Sequence, residues 1–272
     1  MTGVASAREP AADDFGGRGV VLPWPDFVLW LRGRKLGHDV AGEPVKLPPP
    51  WKPGQHWALI GKTREGKSNF AVAVLRETRK FVLALDPKGL DETLTASGWT
   101  RVTGVPPHKR FPRDVQDKLD KGLPCRIVVG LDSRTIEDDE ANKKLMAQTI
   151  EYSRQARGWT VYVDEHQIAT DPRMFGLGPA VARASVSAAR AKTSVVTTMQ
   201  YLSWSEKAPI RQASLISFWR SRSRDLMKKL AEETGRDWQE LASIADELPR
   251  YHVATISDDL RAPVVVTKPP KV

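Results

Sequence analysis

With a single cysteine, Cys125, the chain cannot close an internal disulfide, and it has no cysteine cluster for a structural zinc. That cysteine opens the apolar run Arg126-Ile127-Val128-Val129, where a small buried thiol is expected. Long apolar runs are missing as well. None approaches the ~20 residues of a membrane-spanning helix, so no membrane insertion is expected. The opening stretch is polar, contains Asp13-Asp14 and has no secretory h-region, which points to a soluble, cytoplasmic protein. No internal repeat is evident. Acid is in deficit: 33 Asp and Glu stand against 42 Lys and Arg, a net charge of +9. A pI near 9.7 favours an acidic partner, of which nucleic acid is the commonest. What is present is enough apolar material, 40% of 272 residues with nine tryptophans, for one large α/β domain with appendages or two small domains.

The chain divides into an N-terminal extension, residues 1–45, and a main domain, residues 46–272. The first 20 or so residues are rich in Ala, Gly and charge and read as disordered. Pro23 to Leu36 carries Trp24, Phe27, Trp30 and Leu31 and suits a short helix packed on the main domain. Pro48-Pro49-Pro50 and Pro53-Gly54 form a stiff connection into the first core strand. Strands are then expected at Trp57–Ile60, Phe81–Asp86, Arg126–Leu131, Trp159–Val163 and Ser194–Thr198. Between them lie helical stretches at Ser68–Lys80, Val115–Lys121, Asp138–Ala156 and Pro179–Ala191. Buried β-branched runs alternating with helices predict an α/β fold, a mainly parallel sheet flanked by helices. Helices at Arg224–Thr234 and Trp238–Ala245 and short strands at Tyr251–Ile256 and Pro263–Thr267 complete the same domain.

Eight residues, Gly61-Lys62-Thr63-Arg64-Glu65-Gly66-Lys67-Ser68, satisfy the phosphate-loop pattern G-x-x-x-x-G-K-[ST]. The apolar run before them and the helical stretch after them supply the strand–loop–helix setting that the pattern needs. Glycines let successive N–H groups turn inward around phosphates, and the helix N-terminus favours the anion. Lys67 then reaches the terminal phosphates of ATP and Ser68 offers its hydroxyl to Mg²⁺.

Val161-Tyr162-Val163-Asp164-Glu165, an apolar strand ending in two acids, has the form of a Walker B motif. At the carboxyl end of a parallel strand both acids reach the crevice where ligands bind. Adjacent strand residues point opposite ways, so Asp164 is expected on the metal side and Glu165 beside the attacking water as general base. The next strand ends at Gln200, whose amide suits contact with the γ-phosphate or that water. As residue chemistry alone, Gln200 reads equally well as a solvated loop residue.

Taken together, the phosphate loop, Leu85-Asp86-Pro87-Lys88-Gly89, Val163-Asp164-Glu165 and the strand ending in Gln200 resemble the FtsK–HerA superfamily of DNA-pumping ATPases. Ile210-Arg211, Leu215 to Phe218 and Ser221 to Asp225 resemble that family's following strand and polar turn, so the likeness spans roughly residues 55–230. Arg64 and Glu65 depart from it, standing where the family usually has small residues, and His166 follows the second acid with no pattern match in the loop beyond. The resemblance implies a RecA-like P-loop NTPase fold and Mg-ATP hydrolysis between subunits of a homo-oligomeric, hexamer-like ring. It also implies double-stranded DNA as partner, with a packaging or transfer complex in a bacterial or phage-infected cell. With no membrane anchor, winged-helix tail or nuclease constellation evident, a bare motor domain is expected. It further implies an arginine acting in trans on the neighbouring subunit's nucleotide. Arg190 is the candidate and Arg183, seven residues earlier on the same expected helix face, the second.

Two basic stretches could meet DNA phosphates: His108 to Arg113, and Arg211 to Lys229 with Arg220, Arg222 and Arg224. A solvated edge is the competing reading. The tryptophans do not interleave regularly with these residues, and most read as core or packing anchors. Two other functions fit the sequence: a non-motor ATP-dependent switch or loader acting on a protein partner, and a nucleotide-binding structural or DNA-binding component with little turnover.

Overall fold

Strands that are apolar on both faces belong inside a sheet covered on both sides. The computed structural model describes residues 19–34, 51–87, 89, 91–102, 111–130, 136–200 and 211–271, and shows that sheet. Its strands are β1 (Gly19–Val21), β2 (His56–Ile60), β3 (Phe81–Leu85), β4 (Thr100–Val102), β5 (Cys125–Val129), β6 (Thr160–Val163), β7 (Ser194–Met199), β8 (Ala213–Phe218), β9 (Val253–Ser257) and β10 (Val264–Thr267). The helices are α1 (Trp24–Leu31), α2 (Lys67–Thr78), α3 (Glu92–Ala96), α4 (Arg113–Asp120), α5 (Ile136–Ala156), α6 (His166–Thr170), α7 (Gly178–Val186), α8 (Ala188–Ala191), α9 (Arg224–Thr234) and α10 (Trp238–Glu247).

The strand order is β1-β10-β9-β8-β2-β7-β6-β3-β5-β4. From β8 to β4 every neighbouring pair is parallel. At the other end β9 runs antiparallel to β8 and β10 antiparallel to β9, while β1 joins β10 in parallel. The expected parallel α/β fold with short C-terminal β additions is therefore present. β2, which leads into the phosphate loop, lies between β7 and β8, and β7 separates it from β6, which leads to the two acids. Loops leaving β2, β6 and β7 thus converge on one edge.

Residues 19 and 20, read as disordered from composition, form β1, and Trp24–Leu31 forms α1 packed in the core. Phe27 of α1 lies 5.9 Å from Phe70 of α2, whose ring also meets Trp57 and Trp219 edge-on at 5.6 Å each. Edge-on aromatic pairs of this kind contribute about 0.5–1.5 kcal/mol each beyond the area they bury. They hold α2, and with it the phosphate loop, against the sheet. Trp30, Trp51, Trp57, Trp159 and Trp219 are all buried, in keeping with core anchors. Cys125 is buried as expected. Pro48-Pro49-Pro50, His108-Lys109-Arg110, Lys88 and Ile210 lie outside the described residues.

The helix expected at Pro179–Ala191 divides into α7 and α8 at Ser187. The Ser187 hydroxyl donates to the Arg183 carbonyl at 2.8 Å and accepts from Arg154 Nε at 3.0 Å. Serine competes in this way with the helical ladder. Arg183 thus lies on α7 and Arg190 on α8, two consecutive helical segments where one helix was expected.

Where β2 begins, His56 is buried between two backbone groups. Its Nδ1 accepts from Val195 N–H at 3.0 Å, so Nε2 carries the proton and donates to the Ser185 carbonyl at 3.0 Å. A second proton would have to sit on Nδ1, where the Val195 N–H already points. Burial holds the pKa below its usual 6.5, although the Ser185 contact opposes that shift. Because the folded pKa is depressed, the unfolded chain takes up the proton first, and stability is lost as pH falls below about 6.5. The urea midpoint of the wild type should therefore drop between about pH 7.5 and 5.5. His56→Asn keeps an acceptor for Val195 but cannot be protonated, and it should show a flatter dependence. An equally steep pH dependence in the variant would remove His56 as the cause.

Candidate nucleotide site

The loop leaves β2 at Gly61, whose N–H donates to the Met199 carbonyl at the end of β7 at 3.0 Å. A Cβ on Gly61 would stand 3.2 Å from Trp219 Cβ, so any larger residue here would press on the Trp219 side chain. Gly66 has φ +93° and Arg64 has φ +67°, both in the left-handed region. Left-handed turns of this kind rotate N–H groups into an anion-binding concavity. At Arg64 that conformation costs on the order of 1–3 kcal/mol.

α2 begins at Lys67 with no side-chain cap, so its first N–H groups and the positive end of its dipole face the cleft. Lys67 is only 9% exposed. Its ammonium donates back to the Lys62 carbonyl at 2.7 Å. Burial lowers its pKa, and the charges of Asp164, Glu165 and Glu65 oppose that shift.

Opposite the loop, Asp164 Oδ1 accepts three hydroxyl hydrogen bonds: from Tyr162 at 2.6 Å, Thr198 at 2.8 Å and Ser68 at 3.1 Å. Tyr162 and Asp164 are two apart and so lie on one side of the chain. The Tyr162 hydroxyl is buried, and desolvation together with Asp164 pushes its pKa well up, so it stays a neutral donor. Strand alternation is not what separates the two acids, because β6 ends at Val163. Instead Glu165 turns into a left-handed conformation, φ +47° and ψ +62°, with its N–H on Thr198 Oγ1 at 2.8 Å. Thr198 thus fixes both acids at once, and both line the same cleft.

That cleft has a volume of about 480 Å³ and is bounded by Gly66, Lys67, Ser68, Asp164, Glu165 and Gln200. Asp91 also lines it, a residue the motif reading missed. Asp91 caps α3 through the Leu94 N–H at 2.7 Å. Burial first, and the charge of Asp164 second, raise its pKa to about 6. Asp86, 1% exposed, orders the turn that delivers Asp91. Its carboxylate accepts from Gly89 N–H at 3.1 Å, Asp91 N–H at 3.3 Å and Arg101 at 2.9 Å. Asp86 thus acts as a scaffold for this wall of the cleft.

The remaining candidates lie apart. His166 is fully buried at the start of α6, and desolvation lowers its pKa to about 4. Arg190 is exposed on α8, at the opposite end of β7 from Gln200. A strand of five or six residues spans about 17–20 Å, so Arg190 cannot reach the phosphates of its own chain. Arg220, Arg222 and Arg224 are exposed after β8, at the same sheet edge as the phosphate loop. Within the same basic stretch, Arg211 pairs with Glu233 at 3.0 Å and Lys228 lies 5.2 Å from the Trp238 ring centroid. Among the described residues no helix is long and apolar enough to cross a membrane.

No protein-family profile and no curated protein sequence matches the chain. Solved structures do. The genome packaging NTPase B204 of Sulfolobus turreted icosahedral virus 2, in complex with AMPPCP, superposes with a TM-score of 0.53 at 15% identity, covering 80% of this chain and 99% of B204. The same protein with sulfate gives a TM-score of 0.56 at 16% identity over 80% of this chain and 98% of B204. VirB4 of Thermoanaerobacter pseudethanolicus gives 0.57 at 10% identity, covering 87% of this chain and 96% of VirB4. The chain shares the fold of B204 and VirB4. With so little identity, the likeness is one of fold.

Proposed function

We propose that the chain is a Mg-ATP-hydrolysing motor of the FtsK–HerA type that moves double-stranded DNA in genome packaging or DNA transfer. It would work as a homo-oligomeric, hexamer-like ring in the cytoplasm of a bacterial or phage-infected cell. The observation that carries this reading is the convergence of Lys67, Ser68, Asp164, Glu165 and Gln200 on one cleft at the carboxyl ends of parallel strands. B204, a genome packaging NTPase with the same fold, supports the choice of process.

Ser68 Oγ and Asp164 Oδ1 stand 3.1 Å apart, a hydroxyl and a carboxylate at the mouth of the loop. Among the described residues no group of three or more His, Cys, Asp or Glu forms a metal cage. One carboxylate and one hydroxyl suit Mg²⁺, which keeps several waters and takes its other ligands from substrate phosphates. When bound there, Mg²⁺ would neutralise charge on the β- and γ-phosphates. The residues act as follows. N–H groups of the loop and the first turn of α2 cradle the phosphates, and Lys67 exchanges the Lys62 carbonyl for the β/γ oxygens. Glu165, held by Thr198, accepts the proton of the attacking water. Gln200 orients that water or senses the γ-phosphate. Arg190 serves the nucleotide of a neighbouring subunit, since it lies too far from its own.

The test is ATP turnover with and without linear duplex DNA. Stimulation that grows with DNA length supports a motor, whereas turnover indifferent to DNA favours the protein-directed switch. DNA contact through Arg220, Arg222 and Arg224 would be to the backbone, so affinity should fall steeply with salt and depend little on sequence. Replacing all three with alanine should reduce the log–log salt slope by about 2–3. A tight, salt-insensitive preference for one sequence would instead favour a structural DNA-binding component.

A further inference from the structure

Beside the phosphate cleft lies a second one of about 390 Å³, and the two meet at Gly66 and Asn69. Besides those two residues it is lined by Glu65 of the phosphate loop, by Tyr251, and by the C-terminal segment with Lys268, Pro269 and Lys271. That segment is tied to the phosphate-loop helix, because Asn69 Nδ2 donates to the Pro270 carbonyl at 2.8 Å. Tyr251 is a large aromatic left 45% exposed in the turn between α10 and β9. It adopts φ +65°, a conformation that a bulky residue takes only at a cost. Its ring reaches the loop closely enough that a Cβ on Gly66 would lie 3.8 Å from Tyr251 Cδ1. The Arg250 guanidinium sits 4.7 Å from the ring centroid.

The direction of the bound phosphates decides what enters this second cleft. The γ end must face Glu165 and Gln200, so the α end faces away from them, along the first turn of α2 toward Asn69. Whatever hangs on the α-phosphate then leaves the first cleft where the second begins. A volume near 390 Å³ falls within the ~300–1,000 Å³ of small-molecule sites. An exposed tyrosine gives a flat π-face, the proline a second apolar surface, and the lysines donors for ring nitrogens or a carbonyl.

We infer that this cleft is the nucleobase subsite of the nucleotide site, in which the base stacks on Tyr251 and the Lys268–Lys271 segment closes over it. The inference rests on the phosphate-site reading above, and the test separates the two. ATP and inorganic tripolyphosphate are titrated by calorimetry into the wild type, Tyr251→Ala and Tyr251→Phe, each checked for an unchanged melting profile. Base–aromatic stacking predicts that Tyr251→Ala weakens ATP by about 5- to 150-fold. Tripolyphosphate affinity should stay within about twofold, since it has no base, and Tyr251→Phe should retain ATP.

Unchanged ATP affinity in Tyr251→Ala overturns the subsite. So does a parallel loss of ATP and tripolyphosphate, which would mean that Tyr251 merely props Gly66. If the wild type binds ATP no better than tripolyphosphate, the subsite fails while the phosphate site stands. If it binds neither, both readings fall together.

Discussion

Lys67→Ala should lose ATP affinity by about 10²-fold or more, because each hydrogen bond to a charged group contributes on the order of 1.5–3 kcal/mol and the lysine spans two phosphates. The surroundings enlarge the loss. Asp164, Glu165 and Glu65 all act on the Lys67 ammonium, so its removal leaves the triphosphate facing carboxylates without a nearby cation from α2. The fold should survive, since the ammonium bonds only to its own loop, at the Lys62 carbonyl. Calorimetric titration of ATP, alongside circular dichroism to show retained structure, checks this. Binding within about threefold of the wild type would remove the central support for a nucleotide site.

The phosphate loop is a local pattern. Its eight residues are contiguous, and the flanking apolar run and helix are legible within a few positions. β2, β3, β5, β6 and β7 were visible for the same reason, as buried apolar runs bounded by breaks. What escaped depends on contacts distant in sequence. Thr198 reads as an ordinary β-branched strand residue, and only the pairing of Val163 with Thr197 brings it beside Asp164. Asp91 faces the cleft because Asp86 and Arg101 set the turn before it, a geometry that spacing alone does not encode. β1 has three residues and gains its hydrogen bonds from β10 at the far end of the chain, so composition at residues 19 and 20 pointed the wrong way. The break at Ser187 is subtler, since periodicity continues across it while the Ser187 hydroxyl adds its own bond to the Arg183 carbonyl. Tyr251 stands among turn residues with no motif, and it became a candidate only when the fold set it against Gly66.

Glu165→Gln should leave ATP affinity within about threefold of wild type yet slow turnover by ~10²-fold or more, the range for losing a general base. The variant is close to isosteric, and the backbone at this position has its own anchors. Its N–H rests on Thr198 Oγ1 at 2.8 Å and its left-handed φ/ψ is set by the turn that ends β6. Asp164 keeps its three hydroxyl donors, so the oxygen pair it forms with Ser68 is undisturbed. What the amide lacks is the capacity to take a proton from water, so only the chemical step should suffer. Single-turnover hydrolysis with ATP prebound separates that step from binding and product release. If instead affinity collapses while bound ATP still turns over at the normal rate, Glu165 shapes the site or its metal, and the base must be sought elsewhere. Asp91, on the same cleft with its pKa raised to about 6, would then be the next carboxylate to replace.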